Sequence, residues 1–335
     1  MLNPIPVTLL SGFLGSGKTT LLNQIIKTNQ TDQIFVIMNE FGEISIDSQL
    51  LYEIDETQVF QLNNGCVCCV ANNEMKSTFA KIMTLIDQQQ VQIDQIMIEL
   101  SGLADPEPVI QTITETPFLC DYFYLDSVYT LIDSQNGAHQ LDEYEELTSQ
   151  ILYADKLLFT KNHPNDLEKL VERIRQINPF VPMETVELNS QTAKHYLHQN
   201  LFGQKPVEFD AHLNQWLENY HQHADASGHH HHHSDLTSFA IEIEEDLTAT
   251  QVEQWLEYLI NRYGKDLVRY KGFIAVESFD HQLILQGVHQ WFQLNRGRLW
   301  EPEEPRVSRI VFIGRQLDPD HIKRALLDPT LIEVK

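Results

Sequence analysis

The sequence predicts a mostly parallel β-sheet covered by helices, followed by a smaller α+β domain. From Pro6 to about Phe202, short apolar runs alternate with longer amphipathic ones, which is typical of repeated βα units. This periodicity fails over 203–235, and strand and helix patterns resume over 236–331. The length of 335 residues also favours two domains, because single hydrophobic cores usually stop growing at about 250 to 300 residues. We therefore expect domains at 1–202 and 236–331, joined by a linker.

The first domain alternates predicted strands and helices. Each strand is a short apolar run, and each helix is a longer stretch with its apolar residues on one face. The predicted strands are VTLL, IFVIM, VFQL, QIMIEL, YFYL with VYTLI, and KLLF, and the helical patterns include 18–29, 72–87, 139–153 and 166–176.

The segment 203–235 is predicted to be a histidine-rich linker. It contains Gly203, Pro206 and five consecutive histidines at 229–233, inside the chain rather than at an end, so we interpret the run as native. The run either collects zinc weakly or is only a solvated linker. In the second domain, the predicted strands are SFAIEIE, LVRYKGFIAV, HQLILQGV and SRIVFIG, and the predicted helices lie near 250–262 and 319–328.

The composition argues against two classes of partner. Asp plus Glu number 48 against 23 for Lys plus Arg, and the net charge of −25 repels phosphate backbones and anionic lipid. We therefore expect neither a nucleic acid nor a membrane partner. Four cysteines cannot form a disulfide framework in so long a chain, and the N-terminus lacks the basic head of a secretory signal. These features predict a cytoplasmic protein.

A phosphate-binding loop is predicted at residues 12–19. The letters GFLGSGKT match G-x-x-x-x-G-K-[ST] at every fixed position, between a predicted strand and a predicted helix. Its glycines let main-chain N–H groups surround a phosphate at the helix N-terminus. Lys18 would reach the β- and γ-phosphates, and the Thr19 hydroxyl would ligate Mg²⁺. The alternative, a plain glycine-rich turn, does not account for the flanking strand and helix.

An acidic partner for the Mg²⁺ follows a later strand. QIMIELSG places Glu99 at the end of an apolar run, where it could hold Mg²⁺ through a water or orient the attacking water. Gly102 would let the backbone approach the γ-phosphate. The segment NEFGEISID offers Glu40, Glu43 and Asp47, which could order around Mg²⁺ and γ-phosphate. The alternatives are a surface glutamate at a strand end and solvated loop charges.

The residues that would select the base follow KLLF. Guanine-specific switches usually carry [NT]-K-x-D there, because the aspartate accepts two hydrogen bonds from guanine. This chain has Thr160 and Lys161 in place, but His163 stands where the aspartate is expected, and histidine does not offer two acceptors. Asp166 or the Asn162 amide could compensate, and GTP is favoured. The predicted nucleotide-contacting residues are Gly12, Gly15, Ser16, Gly17, Lys18, Thr19, Thr20, Glu40, Gly102, Thr160 and Lys161.

Three of the four cysteines lie within GCVCC at 65–69. Cys66, Cys68 and Cys69 follow a predicted strand and turn and precede a helix, so three thiolates can converge on one ion. Soft ligands of this kind select Zn²⁺ or Cu⁺. A glutamate of NEFGEISID, a histidine or a client's side chain could supply the fourth ligand. The alternatives are a redox thiol pair and buried structural cysteines, whereas Cys120 is expected to pack at a strand start.

The motifs together resemble those of the CobW-type P-loop GTPases. The resemblance covers nearly the whole chain, and the GCxCC element is its most specific part. It implies a P-loop NTPase sheet, a smaller C-terminal domain and a GTPase metallochaperone whose three cysteines bind metal, often zinc, for a client metalloprotein. The motifs are GFLGSGKTTLLN, NEFGEISID, GCVCC, ELSGLADP, the TK pair, RYKGFIAV and SRIVFIG.

The order of the motifs indicates how nucleotide and metal would be coupled. CVCC lies between NEFGEISID and ELSG, two segments that would respond to the γ-phosphate. We expect bound GTP and Mg²⁺ to hold the thiolates convergent and hydrolysis to release the ion. Two alternatives stay open: a P-loop kinase of a small molecule, and a non-catalytic zinc buffer or sensor.

Overall fold

The computed structural model describes residues 3–29, 31–39, 59–61, 70–161, 167–188, 193–202 and 236–331. The chain divides into two compact units, Met1–Gln204 and Lys205–Lys335. The predicted linker at 203–235 lies outside the described residues, so its boundaries stay a prediction. No helix among the described residues is long and apolar enough to cross a membrane.

The first unit contains a seven-stranded sheet in which every described pair of neighbours is parallel. The strand order is β3-β2-β4-β1-β5-β6-β7. Strand β1 is therefore central, and its carboxyl end meets those of β4 and β5 at one edge, where parallel α/β sheets bind their ligands. The strands are β1 Ile5–Gly12, β2 Ile34–Asn39, β3 Val59–Gln61, β4 Gln95–Leu100, β5 Phe123–Asp133, β6 Lys156–Thr160 and β7 Met183–Thr185.

Helices cover both faces of this sheet. On one face, α1 and the 3-10 helix contribute to a core around Leu10, Leu21 and Leu131. On the other face, α6 and α7 pack with β5 and β6 around Ile132 and Leu147. The helices are α1 Lys18–Thr28, α2 Val70–Asp87, α3 Glu107–Glu115, α4 Pro117–Cys120, α5 Gly137–Glu143, α6 Glu145–Tyr153 and α7 Leu167–Ile177, with the 3-10 helix at Ala193–Tyr196.

The second unit contains a five-stranded antiparallel sheet in the order β11-β10-β9-β12-β8. Its helix α8 begins with a capping box in which Thr248 and Gln251 bond reciprocally. Trp255 is fully buried in the core of this unit and donates its Nε1–H to Ile322 O at 3.0 Å. The elements are β8 Leu236–Ile243, α8 Ala249–Tyr263, β9 Leu267–Ile274, β10 His281–Val288, β11 Trp291–Leu299, β12 Ser308–Arg315, α9 Pro319–Leu327 and a 3-10 helix at Pro329–Leu331.

The structure confirms the predicted fold class and corrects several details. YFYL and VYTLI form one strand, β5, and the 139–153 pattern is two helices separated at Tyr144. Helices α3 and α4 and strands β7 and β11 were not predicted. Cys120 does not start a strand: it ends α4, is exposed, and its thiol lies 3.4 Å from the carbonyl oxygens of Thr114 and Thr116.

Candidate nucleotide site

The 12–19 loop joins the end of β1 to the start of α1 at the carboxyl edge of the sheet. Gly12 has φ +133°, and a Cβ there would lie 2.3 Å from Leu131 O, so this position requires glycine. Gly15 has φ +71° and open space around it, and Gly17 has φ +102° at the cap of α1. The loop is thus a backbone cradle in front of a helix N-terminus, which is the geometry that binds phosphate.

Ser16 connects this loop to the end of β6. Its carbonyl oxygen accepts a hydrogen bond from Thr160 Oγ1 at 2.8 Å, and Thr160 is fully buried. The Ser16 hydroxyl is itself buried, with no hydrogen-bond partner among the described residues. Buried polar groups normally have partners, so a free hydroxyl inside the cradle fits a phosphate oxygen of a bound nucleotide.

Lys18 folds back over the loop from the first residue of α1. Its Nζ donates to Gly12 O at 2.8 Å and to Phe13 O at 3.1 Å, and the residue is 7% exposed. These carbonyl groups hold the ammonium above the cradle. The site therefore presents a positioned cation, as binding of β- and γ-phosphates requires.

Thr19 and Glu99 meet at the end of β4. The Thr19 hydroxyl donates to Glu99 Oε1 at 2.6 Å, and Glu99 is 6% exposed. The pairing of Leu10 with Glu99 between β1 and β4 places the carboxylate beside the strand that leads into the loop. A hydroxyl and a carboxylate are the hard oxygen ligands that Mg²⁺ prefers, so the donor set fits this ion.

The 101–106 loop, which follows β4, lies directly on the phosphate-binding loop. A Cβ at Gly102 would be 2.6 Å from Leu14 N and 2.7 Å from Leu14 Cα. No side chain fits between the two backbones. Gly102 is therefore close to the cradle, and any movement of the cradle near Leu14 must be accommodated by this loop. Its contact with the γ-phosphate stays a prediction.

Lys161 lies at the end of β6 with a left-handed φ of +53°. Its Nζ donates to Asp133 Oδ2 at 2.8 Å, and Asp133, the last residue of β5, is 2% exposed. Burial raises the pKa of Asp133, but hydrogen bonds from Lys161, Asn136 and the Gln135 N–H lower it more, so the pKa lies below its usual value. The carboxylate is thus ionised and holds Lys161, one of the predicted nucleotide-contacting residues, at the end of β6.

The structure does not describe all of the predicted site residues. Thr20 is described and is exposed on α1, outside the contacts just given. No group of three or more His, Cys, Asp or Glu residues that could hold a metal ion occurs among the described residues. The predicted residues outside the described ranges are Glu40, Glu43, Asp47, Cys66, Cys68, Cys69, Asn162, His163 and Asp166, together with the histidines at 229–233.

Comparison with known families decides the family of the chain. A model of the CobW/HypB/UreG nucleotide-binding domain matches residues 6–184, and a model of the cobalamin synthesis protein cobW C-terminal domain matches residues 236–329. The chain belongs to the CobW family. This confirms the resemblance inferred from the motifs.

Relatives of this CobW-family chain match it along most of its length. It is 35% identical over 332 residues to the zinc chaperone YjiA of Escherichia coli (strain K12), covering 97% of this chain and 98% of that protein. It is 31% identical to the zinc chaperone CobW of Pseudomonas aeruginosa, covering 96% and 90%. The crystal structure of the Zn(II)-bound YjiA GTPase from E. coli matches with a TM-score of 0.68 and 29% identity, covering 97% and 99%.

Sequence reasoning missed two polar residues of the CobW-family chain that contact site elements. Asp133, which pairs with Lys161, ends a strand that the pattern split into two runs. Its position at the carboxyl end of a strand was the signal that could have identified it. Gln150 of α6, which contacts the 101–106 loop, has no such signal, because a single glutamine on a helix is indistinguishable from a surface residue in sequence.

Proposed function

We propose that this CobW-family protein is a GTP-hydrolysing metallochaperone. It binds zinc, or a similar transition metal, at Cys66, Cys68 and Cys69 and delivers the metal to a client metalloprotein under nucleotide control. The proposal is supported by the nucleotide-site geometry and by the two relatives described above, both of which are named zinc chaperones. A third, 26% identical over 366 residues, is the zinc-regulated GTPase metalloprotein activator 1 of Saccharomyces cerevisiae.

The described residues account for nucleotide binding in specific roles. Glycines of the 12–19 loop and the N-terminus of α1 provide main-chain N–H groups for phosphate oxygens. Lys18 supplies positive charge, held by Gly12 O and Phe13 O. When bound, Mg²⁺ neutralises charge that develops on the β- and γ-phosphates. Thr19 and Glu99, already 2.6 Å apart, would hold that ion, and Glu99 would orient a water by accepting its proton in a hydrogen bond.

The arrangement of neighbouring strands supports the proposed coupling between the nucleotide site and the cysteine segment. Met38 of β2 pairs with Gln61 of β3 on one side and with Glu99 of β4 on the other. Because neighbouring strands are about 4.8 Å apart, the end of β3 is about 10 Å from the Glu99 backbone. The cysteine segment follows Gln61 directly in the sequence and leads into α2 at Val70. The segment therefore begins about 10 Å from the Glu99 backbone, at the edge of the sheet where the nucleotide site lies, and it ends where α2 begins.

The zinc site itself would be a three-thiolate set completed by a fourth ligand. Thiolates are soft donors, and zinc sites are usually four-coordinate and tetrahedral. Glu40, Glu43, a histidine or a residue of the client would complete the set. A ligand shared with the client would make release of the metal depend on client binding, which suits transfer better than storage.

Phosphate release and zinc transfer test this function together. Release of inorganic phosphate is measured with GTP and with ATP for the wild type and for Lys18→Ala, and zinc transfer from the loaded protein to a fluorescent chelator is followed in the same samples. We expect GTP turnover with water as acceptor, faster zinc transfer during turnover, and loss of both effects in Lys18→Ala. Nucleotide-independent zinc transfer would support a buffer, and phosphoryl transfer to a small molecule would support a kinase.

A further inference from the structure

Helix α6 contacts the 101–106 loop through a buried glutamine. Gln150 is fully buried, and its Nε2 donates to both Gly102 O and Ala104 O at 3.1 Å. The main-chain carbonyl oxygen of Gln150 accepts a hydrogen bond from Thr130 Oγ1 of β5 at 2.9 Å. One side chain therefore fixes two carbonyl groups of the loop, while its backbone is bonded to the central sheet.

Two further side chains of α6 contact the same stretch of chain. Ser149 Oγ donates to Asp105 Oδ1 at 2.7 Å. One turn later, Tyr153 OH donates to Glu107 Oε2 at 2.8 Å, at the start of α3. Residues 149, 150 and 153 lie on adjacent positions of one helical face, so α6 contacts the segment 102–107 at four points.

The chemistry of Gln150 is specific to an amide. Its Nε2 faces two carbonyl oxygens, which fixes the orientation of the group, and its Oε1 is buried with no hydrogen-bond partner among the described residues. An unsatisfied buried acceptor is costly, so packing alone would favour an apolar side chain here. A glutamate would place negative charge against two carbonyl groups. The two donated hydrogen bonds to the loop are what glutamine contributes at this position.

Gly102 is also in contact with the phosphate-binding loop at Leu14. Gly102 therefore contacts both α6 and the cradle, and both contacts restrict its position. In nucleotide switches, segments that contact the γ-phosphate are ordered by it and released on hydrolysis. A loop already held in place needs less ordering when the triphosphate binds.

We propose that Gln150 is a positioning residue that holds Gly102 ready for the γ-phosphate and so sets the preference of this protein for triphosphate over diphosphate. The inference rests on the proposed nucleotide function. It predicts that Gln150 affects triphosphate binding selectively, because a diphosphate leaves Gly102 without a phosphate to contact. A residue that only stabilised the fold would affect both nucleotides alike.

Fluorescent-nucleotide titrations of Gln150→Met and a matched control test this role. Gln95→Met is the control, because Gln95 is also fully buried and donates its Nε2, to Thr8 Oγ1 at 2.6 Å, but at the opposite end of β4. Affinities for GDP and for a non-hydrolysable GTP analogue are measured for both variants and the wild type. Hydrogen exchange of peptide 100–107 is measured without nucleotide.

For Gln150→Met we expect about a tenfold loss of affinity for the GTP analogue, the effect of about one hydrogen bond, with GDP affinity unchanged within about twofold. Exchange of peptide 100–107 should accelerate only in this variant. Equal losses for both nucleotides, the same pattern in Gln95→Met, or no change would overturn the inference. Should Gln150→Met not fold, Ser149→Ala should show the same selectivity at about two- to threefold. A wild type that binds neither nucleotide would instead refute the proposed function.

Discussion

Replacing Gly102 by alanine tests whether the 101–106 loop must touch the phosphate-binding loop. The added Cβ would lie 2.6 Å from Leu14 N, whereas ordinary contact begins at 3.4 Å, so the two backbones must separate by about 0.8 Å. Crowding of this kind typically costs about 1 to 3 kcal/mol of stability. A misplacement of about 1 Å in a catalytic site can cost about a hundredfold in rate. We therefore expect Gly102→Ala to fold but to hydrolyse GTP about a hundredfold more slowly.

Single-turnover GTP hydrolysis is the appropriate assay, with GDP affinity measured beside it. GDP affinity should change less than about threefold, because the displaced loop is proposed to contact the γ-phosphate, which GDP lacks. Gly264→Ala is a matched control, since its Cβ would lie 2.4 Å from Ile260 O in the second unit. The control should lose stability and keep the hydrolysis rate. If a folded Gly102→Ala protein hydrolyses GTP at the wild-type rate, the close contact between the two loops is not required for hydrolysis.

Three further substitutions test Mg²⁺ binding, the pairing of Asp133 with Lys161, and the selectivity for GTP over ATP. Glu99→Gln keeps an acceptor for Thr19 but removes the charge, so the Mg²⁺-dependent gain in GTP affinity should fall at least about tenfold in calorimetric titrations with and without chelator. The lowered pKa of Asp133 means that its bond with Lys161 contributes stability above the unfolded-state pKa of about 3.9 and loses it as pH falls through the folded-state value. The difference in urea-unfolding free energy between wild type and Asp133→Asn should therefore be constant near pH 7 and shrink only below about pH 4. His163→Asp restores two acceptors and should raise the GTP-over-ATP affinity ratio at least about tenfold in competition titrations.

A specific result would contradict each of these three predictions. Unchanged Mg²⁺ dependence in Glu99→Gln would mean that the ion is held elsewhere. A stability difference for Asp133→Asn that persists undiminished below pH 3 would mean that the carboxylate charge is not what stabilises the pair. An unchanged nucleotide ratio in His163→Asp would show that the base is read by residues other than this position.

The parts of the fold that depend on local pattern were predictable. The run VTLL, the motif GFLGSGKT and the residues after it predict a strand, a glycine turn and a helix start, and the structure has all three in that order. Strand β4 and Glu99 at its end follow from a continuous apolar run, which is typical of a strand buried on both faces. In the second unit, both α-helices and every strand except β11 were also predictable from apolar patterns.

The parts that depend on tertiary contacts were not predictable. The break between α5 and α6 lies at Tyr144, whose ring packs on Phe13 of the phosphate-binding loop at 4.5 Å between centroids, a contact the helical pattern does not encode. Strand β7 has only three residues, and β11 interrupts its apolar residues with polar ones and has one buried position, so neither produces a continuous apolar run. The partners of Lys161 and Gly102 are distant in sequence and become neighbours only when the sheet forms.

We propose that the nucleotide bound to the protein changes the affinity of the cysteine segment for zinc. The direct measurement is zinc affinity of the wild type and of the Cys66→Ser, Cys68→Ser, Cys69→Ser triple variant, each with GDP, a non-hydrolysable GTP analogue and the ATP counterpart. We expect the wild type to bind zinc more tightly with the GTP analogue than with GDP, and the triple variant to show no such difference. Equal zinc affinity of the wild type in every nucleotide state would contradict it.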